Sequence, residues 1–486
     1  MNYRKKGLLR LLDLILRGLR QGWNWRSANF QTGTRGPGRR SGATADVGTA
    51  GFPREAVDAE AFQKHYGGFP LRAPAVHPPS TDLFLPRGPD WLFDWPAIDA
   101  AYPWIRKLRG ETGDQALLAK GAFWTQDPRH HAEGSVAVHV RLVAEEMAAS
   151  EAFRGCSEDE RRVLFAAALL HDVCKPETWA TEPDGSITNR GHSRIGATEA
   201  RRILWEAGFP VALRERVCSL ILAHQAPFWL LDRPEAQARQ ILLAVSFGGG
   251  NDLLEILADA DARGRACGDR QRIVDNVALF GEAARDAGCF DAPYPFFNDH
   301  SRMRYFLCPE TRDPAAELFD TTDPAFTVTL MSGMPGSGKS TWIMRETAPG
   351  GSLEGQAVVS MDRLRAEMKV KPDDDQGTVR QAALKRAREL LAARRPFIWD
   401  AVNLDRQRRS PLAALCHDYG ARVRMVYAEA PEPEMRARNR AREARVPDAV
   451  IDRMLRHWEP PSLTECHELV LAIAEPQPSP GVRRAP

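Results

Sequence analysis

The stretch Gly333-Met334-Pro335-Gly336-Ser337-Gly338-Lys339-Ser340 follows an apolar run, Phe326 to Ser332, and leads into a helical pattern. A strand, a glycine-rich turn and a helix in that order form a cradle for phosphate. Backbone N–H groups of the turn converge on anionic oxygens, and the helix adds its positive end. Gly336 and Gly338 allow the backbone conformations and close approach this needs. Gly333, Gly336, Ser337, Gly338, Lys339, Ser340 and Thr341 are therefore the expected ATP-binding residues. Lys339 would neutralise β/γ charge and the Ser340 hydroxyl would ligate Mg²⁺.

Working outward, short apolar runs alternate with longer helical stretches: Phe326–Ser332, Ala357–Ser360, Pro396–Trp399, Arg422–Tyr427 and Glu468–Ile473. That alternation predicts a parallel sheet with helical crossovers over residues 325–475. Functional residues gather at the carboxyl ends of such strands. Asp362 and Arg365 follow the second run. Asp362 is placed to take a proton from an attacking hydroxyl, as general base. The guanidinium fork of Arg365 suits an acceptor phosphate or carboxylate. A helix N-cap is the other reading of Asp362, and both can hold. Asp400 and Asn403 end the third run. Asp400 either helps hold Mg²⁺ through water or orients a neighbouring arginine. Arg436, Arg438, Arg440 and Arg442 alternate along one helical stretch. They read as a lid over the triphosphate or, more plainly, as a solvated basic helix.

Upstream lies a second set of chemistry-bearing residues. His171-Asp172 ends an apolar helical stretch, with Lys175 and Pro176 after it; His139 precedes, and His192, His224 and Asp259 follow. Neutral imidazoles and carboxylates suit a divalent transition metal, and such a cation activates water near neutral pH. The donor set does not separate Mn²⁺, Ni²⁺, Co²⁺ and Zn²⁺. From Glu133 to about Arg312 the pattern is almost wholly helical, with Pro176, Gly191, Gly208 and Gly268 punctuating helix ends.

The chain has 486 residues, 43% hydrophobic and 27% charged, with net charge +2. That is an ordinary globular balance with room for two to four domains. Residues 1–50 hold ten Lys/Arg against two Asp, a net +8 that leaves −6 elsewhere. Residues 1–51 are expected to be a basic, disordered extension. It reads as a solvated tail, a basic arm for nucleic acid or membrane surface, or the product of an upstream start codon. Residues 52–119 read as an irregular, partly helical lead-in, and 476–486 as a Pro-rich tail. No apolar run approaches the roughly 18–20 residues of a membrane span. The eight cysteines are scattered without a Cys-x-x-Cys pair, which points to reduced thiols in a cytoplasmic protein.

Two resemblances rest on these residues. The phosphate loop, the Asp-x-x-Arg of Asp362 and Arg365, and the arginine-rich lid resemble the P-loop module of polynucleotide 5′-hydroxyl kinases. By that resemblance Lys339 and Ser340 bind ATP and Mg²⁺, Asp362 is the base, Arg365 grips acceptor phosphate, and Arg438 or Arg436 contacts the phosphates. The histidine/aspartate set resembles the HD phosphohydrolase superfamily, an all-helical metal-dependent fold. Thr125-Gln126-Asp127-Pro128, the His-rich Arg129 to Glu133, Asn189-Arg190-Gly191-His192 and Leu257 to Gly264 are similar to the HD domain of bacterial CCA-adding enzymes. This resemblance implies His139, His171, Asp172 and Asp259 as metal ligands. It implies His192 and His224 as a second metal's ligands or a phosphate site, and Lys175 as a contact to the scissile phosphate. CCA-adding enzymes also need a nucleotidyltransferase domain with paired carboxylates, which residues 1–120 do not contain, so nucleotide addition is not expected.

The expected protein is multidomain: an all-α HD phosphohydrolase domain with trailing helices over 120–313, then an α/β P-loop kinase domain with a parallel sheet. That combination resembles bacterial HD–polynucleotide kinase fusions of RNA end-healing. The resemblance implies a 5′-hydroxyl kinase joined to a hydrolase of 2′,3′-cyclic phosphate or 3′-phosphate, with RNA or polynucleotide ends as substrate and an RNA ligase acting downstream. The alternatives are a small-molecule kinase fused to an HD nucleotide phosphohydrolase, and a nucleotide-gated RNA-binding or regulatory protein.

Overall fold

The computed structural model describes residues 91, 93–307, 318–370, 377–442 and 445–474. The basic extension over 1–51, the lead-in up to residue 90 and the tail 476–486 lie outside the described residues, as does Cys308.

The amino half is helical. Its main helices are α1 (Val136–Ala149), α2 (Glu158–Leu170), α3 (His192–Glu206), α4 (Val211–Ala223), α5 (Asn251–Arg263) and α6 (Arg270–Asp286). The start of α2 is written locally. Ser157 and Glu160 form a reciprocal capping box, and Glu158, Asp159 and Glu160 fill the first turn, where the helix dipole favours negative charge. Such a cap stabilises by about 0.5–2 kcal/mol. Every residue from Val163 to Leu170 is buried. A helix apolar on all sides must lie at the centre, and α1, α4 and α5 pack around it. α2 therefore ends inside the core, and His171 at its C-cap emerges there.

Ile98, Ile105 and Leu108, on two short helices of the lead-in, and Tyr102 between those helices join the same core. The packed helical unit thus takes in residues before 120. The expectation of near-complete helicity misses one hairpin, β1 (Ala180–Thr181) with β2 (Ile187–Thr188). Pro183 disfavours helix, and Gly185, at φ +81°, supplies the turn between the strands.

The carboxyl half is a five-stranded parallel sheet with helices: β3 (Phe326–Ser332), β4 (Ala357–Ser360), β5 (Phe397–Asp400), β6 (Ala421–Glu429) and β7 (Glu468–Ile473), in spatial order β4-β5-β3-β6-β7. The chain runs outward from β3 to β4, returns through β5, then crosses to β6 and β7. The order reverses beside β3, and in open α/β sheets that switch point, at the carboxyl ends, is where ligands bind. Helices α7 (Lys339–Thr347) and α8 (Met361–Glu367) leave those ends, as does α9 (Glu432–Arg440), which is followed by α10 (Asp448–Leu455).

The two halves meet along a buried seam. Arg214 of α4 is fully buried and makes a two-pronged ion pair with Glu429 at the end of β6, at 2.8 and 2.6 Å. The Tyr427 hydroxyl donates to the same carboxylate, and Trp458 Nε1 donates to Tyr427 at 3.0 Å. On α3, Arg201 donates to the Trp458 carbonyl at 2.7 Å and Trp205 packs edge-on to the Trp458 ring. The seven cysteines among the described residues are free thiols. No single described helix is long and apolar enough to cross a membrane.

Candidate functional site

Five helices deliver one histidine or aspartate each to a common point. His139 comes from the first turns of α1, His171 caps the end of α2, His192 opens α3, His224 caps the end of α4, and Asp261 lies in the last turns of α5. All five are almost fully buried. With Asp172 they form two triads: His139, His171 and Asp261; and Asp172, His192 and His224. In each triad the possible ligand atoms lie within 4.8 Å of one another.

The hydrogen bonds fix the tautomers. Nδ1 of His171, His192 and His224 lies 2.9, 2.7 and 2.7 Å from the carbonyls of Ala168, Asn189 and Ile221. A carbonyl only accepts, so each Nδ1 carries the proton and each neutral ring turns an Nε2 lone pair inward. His171 and His139 then approach Nε2 to Nε2 at 3.4 Å, as do His192 and His224. His139 Nε2 is also 3.1 Å from Asp261 Oδ1. Lone pairs and carboxylates converging in a dry pocket repel unless a cation joins them.

Asp172 sits between the triads. One oxygen is 3.2 Å from His171 Nε2 and 3.7 Å from His139 Nε2; the other is 3.4 Å from His192 and 4.0 Å from His224. Neither buried oxygen accepts a well-aligned hydrogen bond. Oδ2 has the Lys175 ammonium at 2.7 Å, while Oδ1 meets only imidazoles. Buried carboxylate oxygens with acceptor capacity to spare and imidazoles aimed inward fit a divalent metal site. Burial favours neutral rings, lowering His192 to about 4 and His224 to about 3. Burial also opposes charge on His171, but Asp172 and Asp261 outweigh it and raise that ring's pKa.

Asp259 is not part of this cluster. It lies on the surface of α5, one-third exposed, paired with Arg263 at 2.7 Å. Asp261 takes its place. Two residues along a helix turn the side chain by about 200°, so Asp259 and Asp261 face opposite ways. Asp261 carries on the buried stripe of Leu254, Leu257 and Ala258, a signal already present in the sequence. Its carboxylate is gripped by Arg265 through two contacts of 3.0 Å. Lys175 does stand at the centre, buried, with Nζ 2.7 Å from Asp172 and 2.6 Å from Gln126 Oε1. Gln126 and Glu133 lie in stretches that carry the HD resemblance, and Arg265 just beyond one, but no spacing assigns any of the three a role.

The second site is built on backbone. Gly333, Gly336 and Gly338 have φ of +148°, +83° and +103°. A Cβ on Gly333 would lie 2.3 Å from the Ala428 carbonyl, and one on Gly336 2.3 Å from that of Met435. The loop is thus wedged between the end of β6 and α9, and only glycine fits. Lys339 Nζ donates to the carbonyls of Gly333 and Met334 at 2.7 and 2.9 Å. Its enclosure lowers its pKa to about 8, against the opposing pull of Asp400. Ser337 is buried with a hydroxyl lacking any hydrogen bond, while Ser340 and Thr341 are exposed at the start of α7.

Ser360, not Asp362, caps α8, accepting from Arg363 N–H, and its own hydroxyl donates to Asp400 at 2.9 Å. Asp362 is left exposed in the first turn, paired with Arg365 at 2.6 Å and 3.6 Å from Arg442. Asn403 instead braces β3, donating to the Met331 carbonyl. Of the lid arginines, Arg438 lies over the loop, with Nη1 3.7 Å from the point a Cβ on Gly338 would occupy. Arg436 faces away, bound to Glu432 and Asp452.

Residues 135–246 match the family model described as the HD domain, and residues 328–461 match one described as an AAA domain. The A-adding tRNA nucleotidyltransferase of Deinococcus radiodurans is 40% identical over 146 residues, 30% of this chain. The match spans 28% of that protein's length. The chain therefore joins a helical HD domain with a His/Asp cluster that fits a metal to a P-loop kinase-like α/β domain.

Proposed function

We propose that the chain heals broken RNA at both ends. The sheet half transfers the γ-phosphoryl group of ATP to a 5′-hydroxyl, and the helical half hydrolyses a 2′,3′-cyclic phosphate or 3′-phosphate. The observation that carries this reading is Asp362 and Arg365 held 2.6 Å apart in one turn at the carboxyl edge of the sheet. A proton acceptor beside a guanidinium fork suits a hydroxyl whose own molecule carries a nearby phosphate, as a terminal nucleotide does.

In the kinase step Asp362 takes the proton from the attacking hydroxyl. Lys339, the loop amides and Arg438 hold the charge that spreads over the transferring group, and the Ser340 hydroxyl would be the protein's ligand for Mg²⁺. Arg365 fixes the acceptor. In the hydrolytic step His139, His171 and Asp261 would hold one divalent cation, and Asp172, His192 and His224 a second. Such cations lower the pKa of water and draw charge from phosphate oxygens. Lys175 keeps Asp172 in place and presents positive charge beside it. One water opens the cyclic ester to a phosphomonoester, and a second releases inorganic phosphate and leaves the 3′-hydroxyl. With the new 5′-phosphate these are the ends a ligase needs, so a ligase is the class of enzyme expected to act next.

The test is mass analysis of an RNA with 5′-hydroxyl and 2′,3′-cyclic phosphate ends after incubation with ATP, Mg²⁺ and Mn²⁺. Gain of a 5′-phosphoryl group and loss of the 3′ phosphate support the proposal. Phosphorylation of small hydroxylated metabolites alone, with the RNA unchanged, would replace it with a small-molecule kinase joined to a nucleotide phosphohydrolase.

A further inference from the structure

Glu133 belongs to neither inner triad, yet it touches one of them. It lies in the loop ahead of α1 with its side chain 3% exposed. Oε1 is 2.8 Å from Nδ1 of His131, with which it hydrogen-bonds, and 2.9 Å from Nδ1 of His139, a close charge contact whose alignment falls short of a hydrogen bond. Oε2 accepts the backbone N–H of Ala266 at 2.9 Å, and Ala132 N–H donates to the Ala266 carbonyl at 2.9 Å. Ala266 directly follows Arg265, the residue that grips Asp261. One carboxylate therefore ties together the loop, His139 on α1 and the segment that holds Asp261.

We propose that Glu133 is a positioning residue of the metal centre, acting through His139. A carboxylate offers only acceptors, so a ring nitrogen facing it must carry the proton. With the proton on Nδ1, the Nε2 lone pair of His139 is turned toward His171 and Asp261. Three other rings of the centre reach the same tautomer through a backbone carbonyl. His139, near the amino end of its helix, has a side chain supplied for that purpose. A carboxylate in this place also makes the imidazole a stronger donor to a cation. The Ala266 bond ties Glu133, beside His139, to the segment whose Arg265 holds Asp261. His131 shares the carboxylate and packs edge-on to His139 with ring centroids 4.7 Å apart. It completes the clamp and is not one of the inner ligands.

This inference rests on the metal-centre reading above, and Mn²⁺ binding to the full chain, measured by calorimetry after metal stripping, tests the two separately. Glu133→Gln is expected to weaken Mn²⁺ affinity by about 10–100-fold at unchanged stoichiometry, with Glu133→Asp, which keeps the charge, recovering part of the loss. His131→Phe is expected to stay within about threefold, since it is outside the ligand set. Wild-type affinity in both Glu133→Gln and Glu133→Ala would overturn the proposal. So would a lowered melting temperature of the metal-free protein with unchanged affinity, because that marks a structural clip alone. His171→Ala is the reference. If it loses Mn²⁺ while the Glu133 variants do not, Glu133 alone is misassigned. If it binds like the wild type, the metal centre falls and this role with it.

Discussion

The triphosphate cradle is a run of consecutive residues, Gly333 to Ser340, whereas the metal centre gathers residues from 139 to 261 off five helices. The cradle is built of backbone amides and open glycines, and the carboxylate proposed as its base, Asp362, has a side chain 68% exposed. The centre works through side chains at helix ends, and its middle carboxylate, Asp172, is 1% exposed. One site is a local device set on the rim of a sheet. The other exists only when the whole helical core is packed. Damage to the first should therefore be confined to its chemistry, while damage to the second should reach metal binding and stability together.

The sharpest way to break this contrast is a crossed pair of variants. Asp362→Ala should cut 5′-phosphorylation by about 10²–10⁴-fold, the usual weight of a general base. It should leave 3′ dephosphorylation and the melting temperature near wild type. Asp172→Ala should abolish dephosphorylation while 5′-phosphorylation persists. Loss of both activities in either variant would show that the sites are not independent.

Next in size is the pair on α5. Asp261→Ala should weaken Mn²⁺ binding at least about tenfold and also destabilise the fold, because Arg265 loses its buried partner. Asp259→Ala should stay within about twofold in affinity, since exposed ion pairs contribute only about 0–1 kcal/mol. Equal effects would mean that α5 is rotated from the face described.

A smaller effect concerns Lys339. Its pKa of about 8 should rise once triphosphate oxygens replace the carbonyls it now meets. ATP binding at pH 8 should then take up about half a proton. Calorimetry in two buffers of different ionisation enthalpy measures this, and Lys339→Arg should abolish it.

The smallest is a pH effect on stability. His467 accepts the Val423 N–H at Nδ1 and lies 3.0 Å from His300 Nδ1. Burial, with His300, Arg422 and His417 nearby, lowers its pKa to about 3, against a weak pull from Asp299. The unfolded chain, with an ordinary histidine pKa near 6.5, binds this proton more readily. The His467 contribution is therefore complete above about pH 6.5 and declines as pH falls toward 3. His467→Gln should flatten the fall in melting temperature over that window.

Legibility followed the same division. The cradle and all five strand segments could be read in advance because each is a short contiguous pattern. The strands observed differ from those expected by a few residues at their ends, as at Ala421–Glu429 against Arg422–Tyr427. In the helical half the array of histidines was visible, but the last carboxylate was assigned to the wrong face although the apolar stripe of Leu254, Leu257 and Ala258 points to Asp261. Leu257-Ala258-Asp259-Ala260-Asp261 offers two acids, and only the phase of the helix separates them. Glu133 meets Ala266 across 133 residues, and Arg214 meets Glu429 across 215. Such pairs carry no local periodicity and emerge only from the packed chain.

The Arg214–Glu429 seam has a consequence for anyone who would dissect the molecule. α3 and α4 present His192 and His224 at one end and Arg201, Trp205 and Arg214 at the other. Separating the halves would break the Arg214–Glu429 pair, leaving Arg214 with Glu215 and Glu429 with the Tyr427 hydroxyl, and would bare Trp458. Each fragment made by itself would carry a tacky aromatic ledge, and the two made together should find one another again.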